Sequence, residues 1–183
     1  MLYEKLGIDE RDAKIISWYM KDPFISQSEI SKRLKLSQPS INVRIQKLIK
    51  KGILKFNVGM DFNSSNLFLA RVDFTSKNPN ETLESLKMCS FFVNGFIMSG
   101  KNNVSVFIIN EDLRKIDEII NGHIRADPNV SDINVSVVVS SSRDFIFNIS
   151  LSHEATPEAC YRLNGCQDCQ RLMAIQKAKS ETK

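Results

Sequence analysis

A chain of 183 residues, 42% apolar and 25% charged, can bury one or two ordinary cores and is not of a disordered or low-complexity type. Its formal charge of +4 is unevenly placed: residues 1–60 hold twelve Lys and Arg against six Asp and Glu, residues 61–150 eight against eleven, and residues 151–183 five against four. No apolar run follows Met1 and none is long enough for a bilayer, so neither a signal peptide nor a membrane span is expected, and the protein is placed in the cytoplasm.

In that compartment the four cysteines are not expected to form structural disulfides. The basic first third points to a polyanion partner, with a merely solvated charged surface as the alternative.

Asp9 is an N-cap for a first helix with acids in its first turn, and Ile15, Ile16, Tyr19 and Met20 give it an apolar side. Asp22-Pro23 ends it, because the residue before proline is pushed out of the helical region. Ser26-x-x-Glu29 reads as a capping box opening a short second helix with Ile30 and Leu34 four apart. Lys35-Leu36 is a turn.

Residues 37–52 then read as one helix with a start, a stop and two unlike faces. Ser37 is the N-cap, Pro39 falls in the first turn, and Gly52 supplies the left-handed residue past the end. Ile41, Ile45, Leu48 and Ile49 form one apolar stripe, while Pro39, Ser40, Val43, Gln46, Lys47 and Lys50 lie opposite it with no acid among them. Helix, short helix, tight turn and longer helix are the order of a helix-turn-helix, followed by a short strand over residues 53–58.

From residue 66 the apolar period changes to two. Phe68, Ala70, Val72 and Phe74 read as a strand; Leu83 and Leu86 mark a short helix ending near Cys89. Residues 91–99 and 104–109 form a hairpin around Gly100-Lys101-Asn102-Asn103. Residues 112–124 make a second helix with Leu113, Ile116 and Ile120 on its apolar side and His123 capping its end. Ile133, Val135, Val137 and Val139 alternate as a further strand, and Phe145, Phe147 and Ile149 suggest one more. The order β-α-β-β-α-β is that of a ferredoxin-like layer.

The tail beyond Leu151 holds Cys160-x5-Cys166-x2-Cys169, whose Cys-x2-Cys spacing suits metal chelation. Tetrahedral zinc needs a fourth ligand: His153, a cysteine of a partner chain, or water. Cys89 reads instead as a small buried residue. Three readings stand open: a structural zinc site at Cys160, Cys166, Cys169 and His153; a redox-sensing or iron–sulfur thiol set; or silent thiols.

The run Leu6-Gly7-Ile8-Asp9-Glu10-Arg11-Asp12-Ala13-Lys14-Ile15-Ile16, the run from Leu36 to Leu48 and the closing Gly52-Ile53, followed by a βαββαβ domain, together resemble the Lrp/AsnC (leucine-responsive, feast/famine) family of prokaryotic transcription regulators. The resemblance covers about residues 6–151. It implies an α+β protein: a winged helix-turn-helix domain over residues 1–60, a ferredoxin-like regulatory and dimerising domain over 61–151, and an added cysteine-containing tail over 152–183. It further implies homodimers built through the C-terminal sheets, tetramers or octamers of these, and small-molecule effectors bound between dimers. Amino-acid-binding members commonly carry Gly-x-x-Asp at the hairpin turn. Here Gly100, Asn102 and Asn103 stand as the effector candidates, with a neutral amide where an ammonium partner would be. Another ligand, or none, is expected there rather than an ordinary amino acid.

On double-stranded DNA, residues near the start of the third helix read bases and cations hold phosphates. Ser37, Gln38, Pro39, Ser40, Asn42, Val43 and Gln46 belong to that face, with Val43 placed to meet a thymine methyl and Lys47 and Lys50 to hold phosphates. Lys32, Arg33 and Lys35 lie where helix-turn-helix proteins cross the backbone. Arg44 is open between a phosphate contact and an ion pair inside the domain. A two-fold dimer would read half-sites roughly 34–36 Å apart. The leading function is sequence-specific transcription regulation; the rival is an architectural, chromatin-like DNA-binding protein. No paired-carboxylate, nucleophile–base or phosphate-loop constellation supports an enzyme, and the complete basic first domain disfavours a stand-alone metabolite sensor.

Overall fold

The two apolar periods build two separate units. A computed structural model describes residues 2–87 and 89–149, and the expected tail, with His153, Cys160, Cys166 and Cys169, lies outside the described residues. One unit ends at Asn57 and the next begins at Val58. This boundary falls before the expected one at residue 60, because Met60 and Asp61 pair within the second unit.

The first unit holds α1 (Leu2–Lys5), α2 (Glu10–Lys21), α3 (Gln27–Leu34) and α4 (Gln38–Lys50). Its core joins Ile8, Ile15, Ile25, Ile30, Ile41, Ile45, Leu48 and Leu54. Two residues assigned to apolar stripes are exposed instead. Met20 lies five residues, or about 140° around the helix, from the buried Ile15. Ile49 lies roughly 80° around the helix from Ile41, at the margin of the stripe.

The strand expected over residues 53–58 does not form. Ile53 and Leu54 are used to close α4: the N–H of Ile53 donates to Leu48 O at 3.1 Å, and that of Gly52 to Ile49 O at 2.9 Å. This is a Schellman closure, and it needs the left-handed Gly52 at φ 69°. Leu54 is then buried, and Phe56 stacks edge-on against Tyr19 at 5.0 Å.

The second unit realises the expected β-α-β-β-α-β order with β2 (Phe68–Ser76), α5 (Pro79–Leu86), β3 (Phe92–Ile97), β4 (Val104–Asn110), α6 (Leu113–Ile120) and β5 (Val130–Val138). The strands lie in the order β3-β4-β2-β5, each pair antiparallel. Ala70, Val72 and Phe74 of β2 and Val104, Val106 and Ile108 of β4 share one face and join Leu86, Ile116, Ile119, Ile120 and Ile124 in one core. Alternation of period two thus becomes a sheet buried on its helix-covered side.

Helix α6 is shorter than the expected 112–124, passing into a π-helical turn at Asn121–Arg125. His123 is buried within that turn rather than capping an exposed end. Leu113, the first residue of α6, is half exposed, and Ile119 completes the apolar stripe in its place. Cys89 is buried in the core, as read.

The last expected strand is reduced to β6 (Ile146–Phe147), and it joins β1 (Met60–Asp61) rather than the large sheet. Phe62, Leu69, Ile109 and Phe147 form a second core there. Gly59 makes this closure possible, because a Cβ there would lie 2.5 Å from Phe147 O and 2.3 Å from the Asn148 side-chain amide. Gly59→Ala is therefore expected to destabilise the second unit by about 1–3 kcal/mol, the usual range for overpacking. Urea denaturation followed by circular dichroism checks this; an unchanged midpoint would contradict the close packing.

Candidate nucleic-acid interface

The turn between α3 and α4 is built from local capping. Ser26 accepts the Glu29 N–H at 3.1 Å and opens α3. The reciprocal half of the expected capping box is absent from the bonds formed, since the Glu29 carboxylate turns to Arg33. At the far end Lys35 takes the left-handed conformation, φ 53° and ψ 44°. Its N–H donates to Lys32 O and that of Leu36 to Ser31 O at 3.1 Å. A non-glycine residue there carries a strain of roughly 1 kcal/mol, which directs the chain at once into the next cap. Ser37 opens α4 by accepting the Ser40 N–H at 3.4 Å, and the two hydroxyls lie 2.8 Å apart.

Helix α4 is held from one side. Ile41, Ile45 and Leu48 are at most 3% exposed, whereas Gln38, Pro39, Ser40, Asn42, Val43, Gln46, Lys47 and Lys50 are all exposed. Val43, an apolar residue at 67% exposure, stands in the middle of this outer face. The helix contains no acid. Among the described residues Lys32, Lys35, Lys47 and Lys50 form no ion pair, so their charges face solvent. The outer face can donate and accept hydrogen bonds, offer one apolar contact and attract polyanions.

The two arginines behave differently. Arg33 pairs with Glu29 and lies 5.4 Å from the centroid of the Trp18 ring, while staying half exposed. Arg44 makes the ion pair inside the domain that one of its two sequence readings describes. Its Nη1 donates to Asp9 Oδ2 and to Asp12 Oδ1, each at 2.7 Å. The other oxygens of both carboxylates serve the start of α2: Asp9 Oδ1 accepts the Asp12 N–H at 2.8 Å, and Asp12 Oδ2 accepts the Asp9 N–H at 3.4 Å. Partial burial is the largest single influence on the Asp9 carboxyl and raises its pKa. The Asp12 N–H and Arg44 together outweigh it and hold Asp9 below its ordinary value. Hydrogen bonds from Arg44 to Asp12 and then Asp9 raise the pKa of the guanidinium in turn.

Sequence reasoning marked Asp9 as a cap and left an acid partner of Arg44 unnamed; the pair of aspartates three apart was the available signal. The Lys51 ammonium, which donates to Gly7 O at 3.0 Å and ties the loop before α2 to the end of α4, left no such signal.

At the hairpin turn of the second unit, Asn103 is a backbone clamp. Its Oδ1 accepts the Ser76 N–H and its Nδ2 donates to Ser76 O, both at 2.8 Å. An aspartate could accept but not donate there. Asn102 Nδ2 donates to Asp132 O at 3.2 Å, and Gly100 opens the turn with room for a Cβ to meet no other atom within 4 Å. Among the described residues no cluster of three His, Cys, Asp or Glu side chains could hold a metal ion. None of their helices is long and apolar enough to cross a membrane.

Residues 8–55 match the family described as winged helix-turn-helix DNA-binding. The HTH-type transcriptional regulator LrpA of Pyrococcus horikoshii is 24% identical over 136 residues, spanning 72% of this chain and 96% of the relative. E. coli AsnC has a similar fold, with a TM-score of 0.66 at 14% identity over 75% of this chain and 96% of that one. A Neisseria meningitidis transcriptional regulator solved as a complex with L-Met gives 0.65 at 18% identity, covering 80% and 99%.

The depressed Asp9 pKa has a consequence for acid stability. Its contribution is fully present above the unfolded pKa, near 3.8, and is lost as the pH falls through the lower folded value. Trp18, the chain's one tryptophan, reports on this unit. Thermal melts followed by its fluorescence should lose more melting temperature between pH 5 and pH 2.5 in the natural chain than in Asp9→Asn, where asparagine keeps the cap but cannot titrate.

Proposed function

From a chain with the winged helix-turn-helix domain and fold of the Lrp/AsnC transcription regulators, and homologous to them, we propose a sequence-specific regulator that reads double-stranded DNA with α4. One observation carries the reading: α4 is buried along Ile41, Ile45 and Leu48 and presents an acid-free outer face. Ser40 and Val43 meet base edges near its start. Gln38, Asn42 and Gln46 flank them, and Ser37 and Pro39 set the entry of the helix. Lys47 and Lys50, with Lys32 and Lys35 on and after α3, grip phosphates. Arg33 joins this group through its exposed edge, although Glu29 and Trp18 already hold it.

The assembly in this reading is a homodimer, with tetramers or octamers of it, in the cytoplasm. Exposed apolar residues on the edge strands, among them Phe96, Ile97, Val135 and Val137, support self-association. An effector at the Gly100–Asn103 turn would meet the Asn102 side and the open backbone at Gly100, because both amide atoms of Asn103 are already bonded to Ser76. The tail would hold zinc through Cys160, Cys166, Cys169 and His153.

Binding assays over a salt series separate phosphate from base contacts. Lys47→Ala should weaken every duplex alike and reduce the slope of log affinity against log salt by about 0.9. Val43→Ala or Ser40→Ala should instead change sequence preference with the slope intact. Equal loss on all duplexes for all three variants would favour the architectural alternative. For the tail, full-length protein purified anaerobically should release zinc to a chromogenic chelator. Metal-free protein would remove the zinc reading.

A further inference from the structure

Arg44 stands on the helix that reads DNA, yet its charge is directed inward. It lies one residue from the exposed Val43 and one from the buried Ile45, at the seam between the two faces of α4. Its partners are the two carboxylates that start α2, and each divides its oxygens the same way. One oxygen of each holds a backbone N–H of the helix start, and the other takes Arg44 Nη1 at 2.7 Å. The site therefore couples two events that are usually separate: the capping of α2 and the lateral placement of α4. The cluster holds one cation against two acids, so its formal charge is −1 and it offers nothing to a phosphate. Asp12 is buried, and among the described residues Arg44 is the cation paired with its carboxylate.

We propose that Arg44 is a positioning residue for DNA recognition: held by Asp9 and Asp12, it fixes the rotation of α4 so that Ser40 and Val43 meet base edges, and it does not bind phosphate itself. The apolar stripe constrains that rotation without direction, because burial of Ile41, Ile45 and Leu48 is non-directional. A charge-assisted hydrogen-bond pair on one flank is directional and removes that freedom. This inference rests on α4 being the reading helix.

The two roles of Arg44 predict opposite signs for the acids. If Arg44 were a phosphate contact, removing a nearby carboxylate would strengthen DNA binding. If it positions α4, removing the carboxylate weakens specific binding although the protein becomes more positive. Asp9→Asn is the decisive variant, since asparagine still caps α2 and the unit stays folded, while one acceptor of Arg44 is lost. The probes are a duplex selected by the full-length natural chain from a random-sequence library and a mixed-sequence duplex of equal length, each titrated over a salt series.

Asp9→Asn and Arg44→Ala should each weaken the selected duplex by roughly tenfold, the scale of one lost base contact. The mixed duplex and both salt slopes should be unchanged. A variant that merely lost folded protein would weaken both duplexes equally and leave their ratio fixed, so the ratio isolates positioning. The proposal is overturned if Asp9→Asn tightens binding or leaves the ratio unchanged. It is also overturned if Arg44→Ala reduces the slope by about 0.9, as a lost phosphate contact would. Failure of the natural chain to select any sequence would instead reject base reading by α4. The slope on the mixed duplex would then still decide whether Arg44 touches phosphate.

Discussion

Helix α4 has to be anchored by half of its surface while the other half stays empty for a partner. Burial of Ile41, Ile45 and Leu48 supplies the anchoring, each side chain contributing about 1.5–3 kcal/mol of transfer free energy. Apolar contact is not directional, however, and a helix held only by such a stripe can roll. The ion pairs of Arg44, the Schellman closure through Gly52 and the Lys51 ammonium on Gly7 O each restrain a different motion: rotation, fraying of the end, and drift of the preceding loop. Among the described residues Lys32, Lys35, Lys47 and Lys50 then stay without an ion pair, because the first unit does not use them.

The division of labour between the arginines and lysines follows from their chemistry. A guanidinium is planar, carries several donors and suits carboxylates and aromatic faces, and the first unit uses Arg33 and Arg44 in this way, beside the Lys14–Glu10 pair and the Lys51 bond to Gly7 O. Lysine is a strongly hydrated point charge on a flexible stem, and Lys32, Lys35, Lys47 and Lys50 keep theirs in water. A basic count over residues 1–60 thus overstates the charge available to DNA, since part of it is neutralised within the unit.

The second unit shows a similar economy with amides. Asn103 closes the β3–β4 turn onto the end of β2 by serving both backbone polar groups of Ser76. This bifunctional clamp stiffens the strand end beside the turn.

Much of this was legible in the sequence. Ser37, Pro39 and Gly52 delimit α4, the spacing of Ile41, Ile45 and Leu48 sets its buried face, and the switch of period at residue 66 marks the passage to a sheet with its β-α-β-β-α-β order. These follow from local rules, because caps and periodicity act within a few residues. Position on a helical wheel was less reliable at the edges of a stripe: Met20 and Ile49 are apolar but lie outside the packed arc, whose width depends on the neighbouring helices. The strand expected after Ile53 failed because a ladder needs a partner, and Ile53 and Leu54 bond back to α4. Only the tertiary structure could give Arg44 its two carboxylates, thirty-five and thirty-two residues away, and Ser76 its clamp from Asn103. The sequence by itself determined the elements and their amphipathic faces; which charges and amides the fold consumes was decided by contacts between segments far apart in the chain.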